Sequence, residues 1–242
     1  MSGPFWLLVS DVDDTLTGDG AALAELADAL TRHADTVAVA LNSSRPWASV
    51  ERTVREGFPV NFPIAATVTA MGTEMRIGGR PCEAWGEHLG DWPRDRVVEA
   101  VTGLGHAPHA NEFQTPRKAS FAVPPEAQGR VCDALRRAGL PVRIIASGID
   151  DFDVLPPGAG KGEATSFLHA QLEKQCGHVF NLVVAGDSAN DLAMFQAAPR
   201  AIAVGNARAE LLDAMPGETS YHARARHAAG VLEGLRHFGV LV

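Results

Sequence analysis

Cysteine is scarce in this chain of 242 residues. Cys82, Cys132 and Cys176 stand far apart, odd in number and without a Cys-x-x-Cys pair. That pattern is no disulfide framework, and it predicts reduced thiols in the cytoplasm. Long apolar runs are also missing, so no window reads as a membrane span. The opening "MSGPFWLLVSDVDD" lacks a basic region, and its apolar run is too short for a signal peptide. Positive charge is in deficit: Lys and Arg number 21 against 29 Asp and Glu, a formal net charge of −8. This argues against a nucleic-acid footprint, which needs clustered basic residues. Repeats and low-complexity tracts are absent too. An acidic protein that handles an anion needs a local cation to offset its own field, either Mg²⁺ or a few placed basic side chains.

What is present is a large apolar fraction, 46% of residues, in a chain long enough for one large domain or one domain with an insertion. Strand and helix patterns alternate at the start. "FWLLVS" (5–10), "TVAVAL" (36–41) and "IAATVTAMG" (64–72) read as buried strands. Between them, 21–33 carries a helical period, and 46–57 opens on Pro and closes at Gly57. The order predicts a parallel sheet with helices on its faces. From about Arg76 to Pro157 the texture changes to short strands (118–124, "PVRIIAS", "DFDVLP") around a helix at 125–139. The first pattern then resumes: helix 160–174, strand 181–187, the helix "ANDLAMFQAA", strand 200–205 and helix 228–238. The reading is a doubly wound α/β core split by a small α+β insertion.

Ligands of open parallel sheets bind beyond the carboxyl ends of the strands. "DVDDT" follows the first strand there and crowds Asp11, Asp13 and Asp14 into four positions. "GDSAND", with Asp187, Asn190 and Asp191, follows the strand at 181–187. "NSSR" (42–45) follows "TVAVAL", and Lys161 opens a helix. Each is weak alone, since a lone Asp-x-Asp is commonly a solvated turn and a lone Lys a surface residue. The four in this order carry the argument.

This order resembles the haloacid dehalogenase (HAD) superfamily of aspartyl-phosphate phosphohydrolases. "QTPRKASFAVPP", "IIASGIDDFDVLPPGAGKGEA" and "RHAAGVLEGLRHF" further resemble its sucrose-6-phosphate phosphatase group. The resemblance implies an HAD-like, Rossmannoid, doubly wound parallel-sheet core over 1–77 and 158–242, with an inserted C2-type α+β cap over 78–157. It implies that Asp11 is the nucleophile, and that Asp13 protonates the leaving oxygen and then activates water. That role would be helped by neighbouring carboxylates raising the proton affinity of Asp13. Ser43 would donate to a phosphoryl oxygen and Lys161 would neutralise it. Mg²⁺ would be held by Asp11, Asp187 and the backbone carbonyl of Asp13. Asp191 would stand in the metal set directly or through water, or orient Lys161, and Asn190 would orient the site.

Selectivity must come from the insertion, because the phosphate is common to all such substrates. The resemblance implies sugar or phosphate contacts from Ser44, Arg45, Gln114, Lys118, Ser120, Asp151 and Asp153. Ser44 stands where the group commonly has Gly, Phe113 where an acidic residue is frequent, and Asp150 where a basic one occurs. The implied substrate is a small-molecule sugar phosphate, first sucrose 6-phosphate. Mannosylfructose phosphate, a monosaccharide phosphate, a phosphomannomutase-like transfer and a non-catalytic sensor are the alternatives. A cognate glycosyl-phosphate synthase is a candidate partner.

Other signals read blandly. "GAGKG" is not a P-loop, because Leu155 and Gly162 stand where Gly and Ser/Thr are needed. "HAPH" (106–109) reads as a solvated loop. His222, His227 and His237 read as surface or helix-packing residues, Asp14 as a turn residue, and Trp85 and Trp92 as packing in the insertion.

Overall fold

The computed structural model describes residues 4–241. Strand β1 (Phe5–Ser10) is apolar from Phe5 to Val9 because both of its faces are covered. Trp6 and Leu8 point into one core cluster, and Leu7 and Val9 into the other. β1 pairs in parallel with β2 (Val37–Asn42) on one side and with β9 (Phe180–Gly186) on the other. Beyond β2 lie β3 (Ile64–Thr69), β4 (Glu74–Ile77) and β5 (Arg80–Pro81). Beyond β9 lie β10 (Ala201–Ala203) and β11 (Ser220–His222), completing an eight-stranded sheet. β4 and β5 are antiparallel and the other neighbours parallel. The chain leaves β1 toward β2 and returns on its other side at β9, so the switch point falls between β1 and β9.

Helices α1 (Gly20–Arg32) and α9 (His227–His237) cover one face through Leu23, Leu26, Leu30, Val231, Leu232 and Leu235. α2 (Trp47–Gly57) adds Val50 to the same cluster. On the other face lie α3 (Glu83–Leu89), α6 (Lys161–Cys176), α7 (Leu192–Ala197) and α8 (Ala209–Ala214). α1 starts at Asp19, whose carboxylate accepts from the N–H groups of Ala21 and Ala22.

A second, antiparallel sheet has the order β6 (Ala119–Ala122), β8 (Asp151–Leu155), β7 (Arg143–Ser147). α4 (Arg94–Thr102) and α5 (Pro125–Arg137) pack on it through Val97, Val101, Val131 and Leu135 against Phe121, Phe152 and Val154, a core of its own.

Two expected elements end differently. The strand expected over 64–72 stops at Thr69, because Ala70, Met71 and Gly72 turn through φ of 50°, 57° and 84° into β4. The helix expected from Ala189 begins as a tight turn, Ala189–Asp191, before α7. Asp191 folds its carboxylate back onto the N–H groups of Asp187 and Ser188, closing that turn as a capping box.

Candidate active site

Parallel pairing of β1 and β9 delivers Asp11 and Asp187 side by side, and the N–H of Asp11 continues the ladder to the carbonyl of Ala185 at 2.9 Å. Asp11, Asp187 and Asp191 are buried, and one carboxylate oxygen from each lies within 4.8 Å of the others. Lys161, the first residue of α6, enters this cluster fully buried. Its Nζ donates to Asp11 Oδ1 at 2.6 Å, Asp191 Oδ1 at 2.7 Å and Asn190 Oδ1 at 2.8 Å, using all three of its donors. Asn42 at the end of β2 anchors that helix start, donating to the Lys161 carbonyl and to Thr165 Oγ1.

One ammonium cannot offset three buried carboxylates. Burial raises the Asp11 pKa to about 8; Lys161 opposes the rise, while Asp191 and Asp187 add to it. Burial, with Asp191 adding, likewise raises Asp187 to about 6. For Lys161, burial pulls the pKa down, but Asp11 and Asp191 together outweigh it and hold the ammonium above its ordinary value. The remaining negative charge suits a hard divalent cation with oxygen ligands, which is the donor chemistry of Mg²⁺. Asp11 Oδ2 accepts no hydrogen bond among the described residues, and Asp187 has only the Thr15 hydroxyl at 3.3 Å. Asp191 is different: its Oδ1 accepts from Lys161 and its Oδ2 from two backbone N–H groups. Both of its oxygens are occupied, so it stands behind the site and holds Lys161 and the 187–188 backbone. Of the roles expected of Asp191, this geometry matches the one that orients Lys161.

Asp13 is half exposed, and its Oδ2 accepts from Arg45 Nε at 2.7 Å. The Arg45 guanidinium is thus its ion-pair partner, in a cleft that Asp11, Asp14 and Asp187 also line. Arg45 is held further by Ser49 Oγ and Thr53 Oγ1 on α2, while its Nη2 is buried without a partner. Ser43 is buried, and its Oγ accepts the N–H of Arg45 at 3.1 Å. Ser44 lines the cleft itself.

That cleft, of about 400 Å³, lies between Asp11, Asp13, Asp187 and Asn190 on the large sheet and Ser147 and Asp151 on the small one. It continues into a cavity of about 270 Å³ bounded by Ser44 and Arg45 on one side and His109, Lys118, Ser120 and Asp153 on the other. Lys118 Nζ spans the two sheets, donating to the Ser44 carbonyl at 3.1 Å and standing 3.2 Å from Asp153 Oδ2. Asp153 Oδ1 is buried with no hydrogen-bond partner among the described residues. Asp151 Oδ1 lies 3.2 Å from His109 Nε2, in contact but without hydrogen-bond alignment. Gln114 departs from expectation. Its Oε1 accepts from Arg94 and the Ser120 N–H, and its Nε2 donates to the His109 and Ser120 carbonyls. Its amide is saturated inside the small sheet's surroundings and holds neighbours in place, with no group left for a sugar.

The chain matches the sequence profile of sucrose-6F-phosphate phosphohydrolase over residues 4–239. It belongs to that family. Sucrose-phosphatase 1 of Nicotiana tabacum is 35% identical over 72% of this chain and 44% of its own length. A mannosylfructose-phosphate phosphatase of Agrobacterium fabrum is 31% identical over 98% of both chains. The solved sucrose-phosphatase of Synechocystis, in complex with sucrose and phosphate, superposes with a TM-score of 0.85 at 28% identity, covering 98% of this chain and 99% of that one. The chain spans about half the length of the curated plant relatives it matches, 44% and 60% for the tobacco protein and a probable sucrose-phosphatase 2 of Arabidopsis thaliana. The fold is that of the HAD-fold structures with which the chain superposes.

Within this sucrose-6F-phosphate phosphohydrolase family member, several residues near the site escaped the sequence reading. His109 sits on the cavity wall and not in a solvated loop. His227 Nδ1 contacts the Asp14 carbonyl at 2.9 Å, whereas His237 stacks on Tyr221 as a packing residue. Arg208 reaches to 4.0 Å from Asp187, and its N–H donates to the Asp187 carbonyl. The signal available for Arg208 and Asn206 was position alone: both follow β10 at a strand end, where ligands bind. Asp14 is a turn residue with φ of 57°, and Trp85 is a packing residue whose Nε1 donates to the Gly72 carbonyl.

Proposed function

We propose that this protein is a Mg²⁺-dependent phosphatase that hydrolyses sucrose 6-phosphate to sucrose and phosphate through a phosphoryl group carried on Asp11. The observation that carries this is Asp11 itself. It is a buried carboxylate with one oxygen tied to Lys161 and the other unbonded among the described residues, lining a cleft that shares Ser44, Ser147 and Asp151 with the cavity beside Lys118 and Asp153.

In the first step Asp11 Oδ2 attacks phosphorus, and the bond from phosphorus to the sugar oxygen breaks. Lys161 fixes the attacking carboxylate and offsets charge, held in turn by Asp191 and Asn190. Asp13 trades Arg45 for the leaving oxygen and gives it a proton. In the second step Asp13 takes a proton from water, water adds to phosphorus, and Asp11 leaves as a carboxylate. Ser43 and Ser44 offer donors to the phosphoryl oxygens. Asp11, Asp187 and the carbonyl of Asp13 would hold Mg²⁺, which would supply positive charge that lowers the cost of bringing a dianion to an acidic site.

The boundary expected at 77/78 moves, because β5 and α3 belong to the large sheet and its face: we assign 1–89 and 158–242 to the core and 90–157 to a cap whose Lys118, Ser120, Asp151 and Asp153 face the sugar. Gln114 supports that surface from behind. The three free thiols fit a cytoplasmic enzyme, and a glycosyl-phosphate synthase would supply its substrate. Mannosylfructose phosphate is the second reading, favoured by the Agrobacterium relative that matches 98% of both chains. Phosphate release with Mg²⁺ from sucrose 6-phosphate, mannosylfructose phosphate and simple hexose phosphates tests this. The highest kcat/KM is expected for sucrose 6-phosphate. A hexose isomerised without net phosphate release, or no turnover of any substrate, would overturn the assignment.

A further inference from the structure

We infer that Asn206 and His227 are positioning residues that aim Asp13 by gripping the backbone carbonyl of Asp14. The inference rests on the proposed phosphatase reading for the role of Asp13; the geometry stands by itself.

Asp13 is half exposed, so packing does not fix it, and its one ion-pair partner is Arg45. Its direction is set by the backbone on either side. Asp14, the next residue, adopts φ of 57°, a left-handed conformation that residues other than glycine adopt uncommonly. Something must hold it there. Its N–H is held locally by Thr17 Oγ1 at 3.2 Å. Its carbonyl is held from the far end of the chain, by Asn206 Nδ2 at 2.7 Å and His227 Nδ1 at 2.9 Å. The Asn206 Oδ1 accepts the His227 N–H at 2.8 Å, which closes a triangle of three bonds among three residues. A carbonyl only accepts, so His227 carries its proton on Nδ1.

His227 is itself left-handed, with φ of 52°, and its ring lies flat against Gly18, where a Cβ would come within 2.6–2.8 Å of three ring atoms. Two strained residues and one bare glycine thus converge on a single carbonyl beside Asp13. Strain of this kind persists where the surroundings over-determine it, and it gathers at functional sites. The Asn206 loop also reaches the other acidic segment, since the Arg208 N–H donates to the Asp187 carbonyl at 2.7 Å. One short loop therefore sets Asp13 and Asp187 in common register.

The test separates proton delivery from general damage. His227→Ala, His227→Asn, His227→Gln and Asn206→Asp are compared with wild type on sucrose 6-phosphate and on para-nitrophenyl phosphate. Nitrophenolate leaves without a proton; the sugar alkoxide does not. In His227→Ala and Asn206→Asp, phosphoryl transfer from the sugar phosphate should slow by about 10-fold or more at little-changed KM, as expected for a misaimed group. The nitrophenolate burst should keep its wild-type rate. His227→Asn, whose amide nitrogen replaces Nδ1 and which tolerates positive φ, should restore the sugar-phosphate rate; His227→Gln, whose amide sits at the Nε2 position, should not. Equal slowing of the phosphoryl-transfer step on both substrates, no slowing on either, or equal rescue by Gln and Asn would overturn the clamp. Wild-type protein that releases no phosphate from any sugar phosphate would instead overturn the phosphatase reading.

Discussion

Lys161 Nζ lies 2.6 Å from Asp11 Oδ1, although 150 positions separate the two residues in sequence. The contact joins the end of β1 to the start of α6, and both partners are buried. Removing one member of a buried pair leaves an uncompensated charge, at a cost of about 3–5 kcal/mol. Lys161→Met should lose about that much in denaturant melts at pH 8, less at pH 5 where the carboxylates take up protons, and should abolish turnover. Lys161→Arg should not rescue activity, since a planar fork cannot serve three oxygens that converge on one point. Wild-type stability for Lys161→Met at pH 8 would contradict the pairing.

The carboxylates make the metal-free protein pH-sensitive in a defined direction. Asp11 and Asp187 have folded pKa values of about 8 and about 6 against a model-peptide value of 3.8. Between these limits the folded state binds more protons than the unfolded state, so stability falls as pH rises. It is fully present below about pH 4 and is lost progressively up to about pH 8. Thermal melts in chelator should follow that slope. Added Mg²⁺ should raise the midpoint more at pH 8 than at pH 5, because it replaces the protons. A midpoint rising with pH across this window in chelator would contradict the assignment.

Gly186 has a steric reason to be glycine. A Cβ there would stand 2.6 Å from Asp191 Cβ, Cγ and Oδ2. Gly186→Ala must displace the carboxylate that anchors Lys161 and caps the 188–191 turn. It should lower kcat by about 10-fold or more, with a smaller effect on KM. Unchanged kcat would show that Asp191 can shift without consequence.

The cap contact gives a selective prediction. Lys118 bridges Asp153 and the Ser44 carbonyl across the cavity. Lys118→Met should lower kcat/KM for sucrose 6-phosphate by about 10-fold or more, the worth of a lost charge-assisted hydrogen bond, and leave para-nitrophenyl phosphate within about twofold. An equal loss on both substrates would mean that Lys118 serves the phosphate and not the sugar.

The parallel core was legible because β1, β2 and β9 are buried on both faces and therefore read as mostly apolar runs. Its chemistry was legible because strand ends in such sheets are where ligands bind, and Asp11, Ser43, Asp187 and Lys161 all sit at strand ends or a helix start. β4, β5 and β11 were not legible: they are two to four residues long and owe their existence to pairing, not to pattern. The role of Gln114 was misread, and that of Asp191 was left open, for a related reason. Residue type announces a polar group, but only the tertiary structure shows whether its hydrogen-bonding positions are free. Asn206 and His227 lay outside the motifs because they act through a backbone carbonyl, and a carbonyl has no letter in the sequence.

The central claim is that Asp11 carries the phosphoryl group. Asp13→Asn keeps the loop but removes the group that activates water, so a phosphorylated enzyme should accumulate. The direct measurement is acid quench of Asp13→Asn with Mg²⁺ and para-nitrophenyl phosphate, whose leaving group needs no proton, followed by peptide mass mapping. The account predicts one phosphoryl group, on the peptide that contains Asp11, and none in Asp13→Asn combined with Asp11→Asn. A burst of nitrophenolate with no phosphoryl group on the protein, or a phosphoryl group on any other residue, would contradict it.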